Sequence, residues 1–272
     1  MTNSVISVAE ALPLVGQANT VFLDATWTFP AGPQPQADGY IPGAVRFDIE
    51  IVRDTNNPLP HMLPSPEEFT HHVEAMGINN ETDIIVYDRI GLFSAARVWW
   101  MFRAMGHDNI RVMMGGLPLW IEEGGPVSQE IGICDQTGCF KATYRPHLVA
   151  DRQQVLSAID GQSHQILDAR PPGRFNGTAP EPREDMRSGH MPGAINMPFP
   201  KVVDGDGLFD FDDDLFSELG LDLARPVISS CGSGVTASIL ALALKQSGVD
   251  VAVYDGSWSE WGMRDDTPIT KD

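Results

Sequence analysis

Pro226–Asp255, PVISSCGSGVTASILALALKQSGVDVAVYD, decides the fold. Val227–Ser230 is a short, buried-looking run of strand length. A loop with two glycines follows, and Val235–Gln246 then reads as a helix that is apolar nearly all round, the signature of a buried one. A second apolar run ends at Asp255, just before a tryptophan-containing segment. Strand, crossover helix and strand in that order predict a parallel sheet.

The same order stands earlier in the chain. Ile84–Tyr87 reads as a central strand and Phe93–Met105 as the helix after it, within DIIVYDRIGLFSAARVWWMFRAMGHDNIRVM at 83–113. The segments further out echo each other as well. VFLDATWTFP at 21–30 matches QILDARPPGR at 165–174, and each apolar run ends in Asp (Asp24, Asp168). GYIPGAVRFD at 39–48 matches GHMPGAINMPF at 189–199, with Tyr40 or His190 ahead of the Pro-Gly-Ala turn. One repetition at domain-scale spacing indicates duplication of a single α/β unit. The expected fold is therefore α/β: two tandem domains, 1–123 and 147–272, each a parallel sheet flanked by helices. The Gly-rich stretch 124–146, which lacks a clear period, is expected to link them.

The composition suits a globular protein with a sizeable core, at 42% hydrophobic and 20% charged residues. A net charge of −19 argues against nucleic acid, since nothing would neutralise phosphates. No apolar run reaches membrane-spanning length, and the first residues lack the pattern of a secretory signal. Three cysteines, Cys134, Cys139 and Cys231, are too few for a disulfide framework and suit a reducing compartment. Cytoplasmic residence is the expectation, with neither metal nor cofactor implied.

The chemistry concentrates in Cys231-Gly232-Ser233-Gly234-Val235-Thr236. Glycines let the backbone curl and turn successive N–H groups inward, and the helix that follows adds its positive end. A cysteine at the mouth of such a cradle is expected to react as thiolate. Three readings of the loop compete. One is a structural cysteine on a turn. Another is a dinucleotide fingerprint, because Gly232, Gly234 and Ala237 satisfy G-x-G-x-x-A. Too little chain follows Asp255, however, for the rest of a doubly wound sheet. The third is a sulfur-carrying, persulfide-forming cysteine.

That third reading agrees with a resemblance. The loop CGSGVTA resembles the active-site loop of the rhodanese superfamily, and in particular its 3-mercaptopyruvate sulfurtransferase branch. RFDIE (46–50), PHMLPSPEEF (60–69), VWWMFRAMGH (98–107), GRFNGTAPEPR (173–183), SGHMPGAINMPF (188–199) and YDGSWSEWG (254–262) are also similar to family segments. The thiosulfate-using branch typically carries Arg and Lys where this chain has Gly232 and Ser233. Phosphatases of the superfamily need an Arg where Ala237 stands.

The resemblance implies that Cys231 takes sulfur from a small-molecule donor, 3-mercaptopyruvate, and passes it to a thiol acceptor such as thioredoxin, or to cyanide. It implies that Arg174 and Arg183 bind the donor; read from the residues alone, they are equally well surface arginines paired with Glu181, Glu184 and Asp185. Two planar guanidinium forks can grip a carboxylate. Ser233 and Thr236 are candidate hydrogen-bond donors to donor or persulfide, Ser233 being counted with Cys231 as catalytic, although Thr236 could equally cap the helix. Gly232, Gly234 and Val235 complete the loop. The first domain carries Asp88 at the position of Cys231 and is expected to be non-catalytic. Tyr40 stands where relatives often have a His proposed for a relay. Thiosulfate as donor, or an idle sulfur-binding module, are the alternative readings.

Other clusters read as bland. Cys134 and Cys139 lack partners for a zinc site, adjacent helical His71 and His72 point apart, and Asp210, Asp212, Asp213 and Asp214 lack calcium-loop spacing.

Overall fold

The computed structural model describes residues 3–29, 32–183, 185–212 and 214–272. Glu184 and Asp213 lie outside the described residues. The chain forms two compact units. The first holds residues 3–56, 63–145 and 203–209, and the second holds 57–62, 146–202 and 210–272, within those described bounds.

In the first unit the strands are β1 Val5–Ile6, β2 Thr20–Asp24, β3 Val45–Arg46, β4 Asp83–Tyr87 and β5 Ile110–Met113, in the spatial order β1-β5-β4-β2-β3. In the second they are β6 Val149–Ala150, β7 Gln165–Asp168, β8 Ile195–Asn196, β9 Val227–Ser230 and β10 Ala252–Tyr254, in the order β6-β10-β9-β7-β8. Every pairing in both sheets is parallel. The order is the same in each, as duplication requires, and the two central strands are the two singled out from sequence.

All four residues of β9 are buried, which explains why the run reads as unbroken rather than alternating. The helix Val235–Gln246 buries Val235 and everything from Ala237 to Leu244. A second core layer in this unit joins Val155, Ile166, Met191, Ile228, Tyr254, Trp258 and Trp261. Its counterpart in the first unit gathers Phe22, Ile85, Tyr87, Leu117 and Trp120.

The helix expected over 93–105 spans Ala95–Ala104. The difference has a cause. The carboxylate of Asp88 takes the N–H groups of Phe93, Ser94 and Ala95, and holds the chain as a loop up to that point. Residues 124–145 lie in the first unit without helix or sheet strand of their own. They are pinned there by bonds such as Ser128 N–H to Tyr40 O and Cys139 N–H to Asn79 Oδ1.

No helix among the described residues is long and apolar enough to cross a membrane. None of their His, Cys, Asp and Glu side chains forms a group that could hold a metal ion.

Candidate active site

Cys231 is the first residue beyond the carboxyl end of β9, the central strand, where open parallel sheets place their ligands. It is 1% exposed. Gly234 adopts φ +80° to start the helix Val235–Gln246, and its N–H donates to the Cys231 sulfur at 3.1 Å. A glycine is required there, because a side chain would strain the left-handed backbone that turns this N–H onto the sulfur. The helix cap is thus Gly234, and Thr236 sits inside the first turn rather than capping it.

The outer side of the loop is held by the segment Ser257–Ser259. The Cys231 N–H donates to Ser257 Oγ (3.2 Å), Trp258 N–H donates to the Cys231 carbonyl (3.0 Å), and Ser259 donates both N–H (2.9 Å) and Oγ–H (2.6 Å) to the Gly232 carbonyl. Because a trans peptide points its C=O and N–H in opposite directions, carbonyls fixed outward leave the Gly232 and Ser233 N–H groups facing the other way. Among the described residues, the hydroxyls of Ser233 and Thr236 have no hydrogen-bond partner.

Both predicted arginines come to this loop. The guanidinium of Arg174 lies over Gly232, its Nη2 only 3.3 Å from where a Cβ on that glycine would sit. Arg183 reaches the same residue through Ser259, with Nη1 2.5 Å from the hydroxyl that bonds Gly232. Arg174 stands on a one-turn helix, Pro172–Phe175, where an irregular loop was expected; Pro172 at the first turn suits that start.

Of the acids next to Arg174 in sequence it is Glu181 that pairs with it, and sequence reasoning missed that this carboxylate is buried and shared with Arg170. Glu181 accepts from Arg174 Nε (2.9 Å) and Nη2 (2.5 Å), and with its other oxygen accepts from Arg170 Nη1 (2.8 Å). Arg170 is itself buried, paired with Asp168 (2.6 Å at Nη2), bonded to the Gly189 carbonyl and packed 3.9 Å over the Trp258 ring. Two carboxylates and two guanidiniums alternate, so the buried charges are compensated. The repeated strand-end Asp supplied a signal for this network. Asp24 in the first unit likewise pairs with Arg46 (3.1 Å) and Arg89 (3.5 Å). His190 has a structural place, its ring stacked 3.9 Å on Phe175 and its Nδ1 3.0 Å from the Phe175 carbonyl.

The first unit shows what such a loop accepts. Asp88, at the position of Cys231, is fully buried, and its carboxylate takes N–H bonds from Ile90, Gly91, Phe93, Ser94 and Ala95 at 2.7–3.1 Å. Burial pushes its pKa above the usual carboxylate range, and those N–H groups pull the other way. A ring of inward N–H groups around one acid is an anion cradle already filled by the chain itself.

A family model described as Rhodanese-like domain matches residues 7–123 and 151–264. The chain belongs to the rhodanese-like domain family. Among relatives in this family, a 3-mercaptopyruvate sulfurtransferase of Escherichia coli (strain K12) is 43% identical over 87% of this chain and 85% of its own. A thiosulfate sulfurtransferase of Rattus norvegicus is 42% identical over 89% and 84%. The crystal structure of SseA from Escherichia coli, which has the "Rhodanese" fold of 3-mercaptopyruvate sulfotransferases, superposes with a TM-score of 0.83 at 36% identity. It covers 94% of this chain and 99% of its own. Both rhodanese-like repeats are present here, and only the second has a cysteine in its loop.

Proposed function

We propose that this chain carries sulfur from 3-mercaptopyruvate, through a persulfide on Cys231, to a thiol acceptor. The chain is an enzyme, a sulfurtransferase. Relatives named for either donor are about equally similar to it, so identity does not choose between donors, and the loop must. The observation that carries the choice is the meeting of Arg174 and Arg183 at Gly232, beside Cys231, on a loop with no charge of its own. A dianion such as thiosulfate would gain from cationic loop residues. A monocarboxylate thiol is served by guanidiniums set to one side.

In this mechanism Arg174 and Arg183 hold the carboxylate and keto oxygen of the donor. The Cys231 thiolate attacks the donor sulfur and forms the S–S bond as the donor C–S bond breaks. The departing electron pair is held as the enolate of pyruvate, which takes up a proton and leaves as pyruvate. The Gly234 N–H and its neighbours stabilise the persulfide electrostatically, and the hydroxyls of Ser233 and Thr236, which have no partner among the described residues, are available to bond donor or persulfide. A thiol, with a dithiol protein such as thioredoxin as the natural candidate, then removes the outer sulfur. The three free cysteines fit a reducing compartment such as the cytoplasm.

The test is intact mass after mixing the protein with 3-mercaptopyruvate, alongside Cys231→Ser. A gain of about 32 Da with pyruvate release, absent in the variant, is expected from sulfur chemistry at a single thiolate. A gain with thiosulfate but not with mercaptopyruvate would move the chain to the other donor, and no gain with either would leave a binding module.

A further inference from the structure

We propose that Ser257 is a positioning residue for Cys231: its hydroxyl fixes the backbone from which the reacting thiol projects. This goes beyond the functional reading above and rests on it for the identity of the sulfur carrier.

Ser257 is fully buried and has φ +48°, left-handed backbone that L side chains seldom adopt. Its hydroxyl donates to the Tyr254 carbonyl at 2.8 Å and accepts the Cys231 N–H at 3.2 Å. The next residue, Trp258, donates its N–H to the Cys231 carbonyl. The peptide groups on both sides of the Cys231 Cα are therefore held from one turn, and with them the direction of its Cα–Cβ bond.

The first unit supplies an internal control. There the turn after β5 places Gly116 at the matching position, with φ +54°, and Leu117 donates its N–H to the Asp88 carbonyl at 3.0 Å. The same turn, made with the same backbone bond, is built with glycine, the residue to which that conformation costs nothing. Only the cysteine-bearing unit puts a strained, hydroxyl-bearing residue there. Strain kept where a strain-free solution exists in the same chain points to a task for the side chain, and the one bond that the serine adds toward the loop is to the N–H of Cys231.

The experiment compares Ser257→Gly and Ser257→Ala with the wild type in three readouts: melting temperature, alkylation rate of Cys231 by iodoacetamide located by peptide mass, and kcat and KM for sulfur release from 3-mercaptopyruvate. Both variants lack the hydroxyl. Both are expected to lose about tenfold in alkylation rate and kcat, the size of one misplaced reacting group at the mild end, with KM within about twofold. Ser257→Gly should nonetheless melt above Ser257→Ala, because only the alanine keeps a Cβ at φ +48°. Rate would thus follow the hydroxyl while stability follows the backbone, a split that a purely structural role does not produce.

Wild-type alkylation and kcat in Ser257→Gly would overturn the proposal. So would a loss of cooperative melting in that variant, or a change confined to KM. If the wild type accepts sulfur from neither mercaptopyruvate nor thiosulfate, the sulfurtransferase reading falls, and the alkylation comparison still decides whether Ser257 positions the thiol.

Discussion

Arg174 and Arg183 approach Gly232 under different restraint, and their substitution should separate accordingly. Glu181 is 1% exposed at its side chain and shared between Arg170 and Arg174. Arg174→Ala therefore removes a charge partner from a buried carboxylate, at a cost of roughly 1–3 kcal/mol for the hydrogen bonds left unmade. Arg183→Ala loses, among its contacts, a bond to the Ser259 hydroxyl, a neutral partner that leaves no buried charge behind. Both variants should raise KM for mercaptopyruvate about tenfold or more, in keeping with a charged group removed from a bound carboxylate. Only Arg174→Ala should also lower the melting temperature by several degrees. Steady-state kinetics beside thermal melts check this, and an unchanged KM in both would remove the arginines from the binding role. At this scale Cys231 stood out because a cysteine on a glycine loop between strand and helix has few other uses, whereas Arg174 and Arg183 were pointed to only by the family resemblance and otherwise read equally well as surface arginines. Glu181 was legible only as a neighbouring acid that could neutralise Arg174. In the structure that acid aims the guanidinium, and no spacing rule distinguishes aiming from quenching.

Between β9 and its helix, one glycine sets both the helix start and the hydrogen bond to sulfur. Gly234→Ala forces a Cβ into φ +80°, costing about 1–2 kcal/mol, and shifts the N–H away from Cys231. A lower melting point together with slower persulfide formation is expected, measurable by calorimetry and by stopped mixing with mass detection; a variant that melts lower but loads at the wild-type rate would detach the Gly234 N–H from the chemistry. A contrasting element lies far along the chain. Ser65 and Glu68 cap the helix Pro66–Ala75 reciprocally, so Ser65→Ala should cost about 1 kcal/mol of stability while leaving KM and kcat at wild-type values in the same assays. The central strands and the long buried helix were readable because apolar runs of those lengths have few other uses. The start of the helix Ala95–Ala104 was not, because an acid seven residues upstream captures its first N–H groups, a contact made through the turn rather than along the sequence.

For the molecule as a whole, duplication was visible in the order of segments, and the two sheets share one strand order. The membership of residues 203–209 in the first unit was invisible, since such a loop carries no pattern that says which core it will join. Each unit also buries a tyrosine. Tyr87 accepts the Ile41 N–H at 3.1 Å, Tyr254 donates to Glu260 at 2.8 Å, and burial pushes both phenols well above their ordinary range. An unfolded tyrosine ionises near pH 10. The folded chain keeps protons that the unfolded chain has lost, so the stability these groups lend is intact below about pH 10 and drains away as pH rises further. Denaturant midpoints taken between pH 8 and pH 11 should fall, and the fall should be shallower in Tyr254→Phe; parallel curves would show that this tyrosine does not govern the alkaline limb.

The carboxylate of Asp88 has one more consequence, and it concerns counting. A protein made of two copies of one anion-receiving loop would ordinarily titrate with two equivalents of a small anion. Here one receptacle is taken by a side chain tethered through its own backbone, so a dissolved anion must compete with an intramolecular partner. Whatever anion the Cys231 loop takes, the pair of loops is therefore expected to saturate at a stoichiometry of one per chain, with Asp88 as the built-in occupant of the first unit.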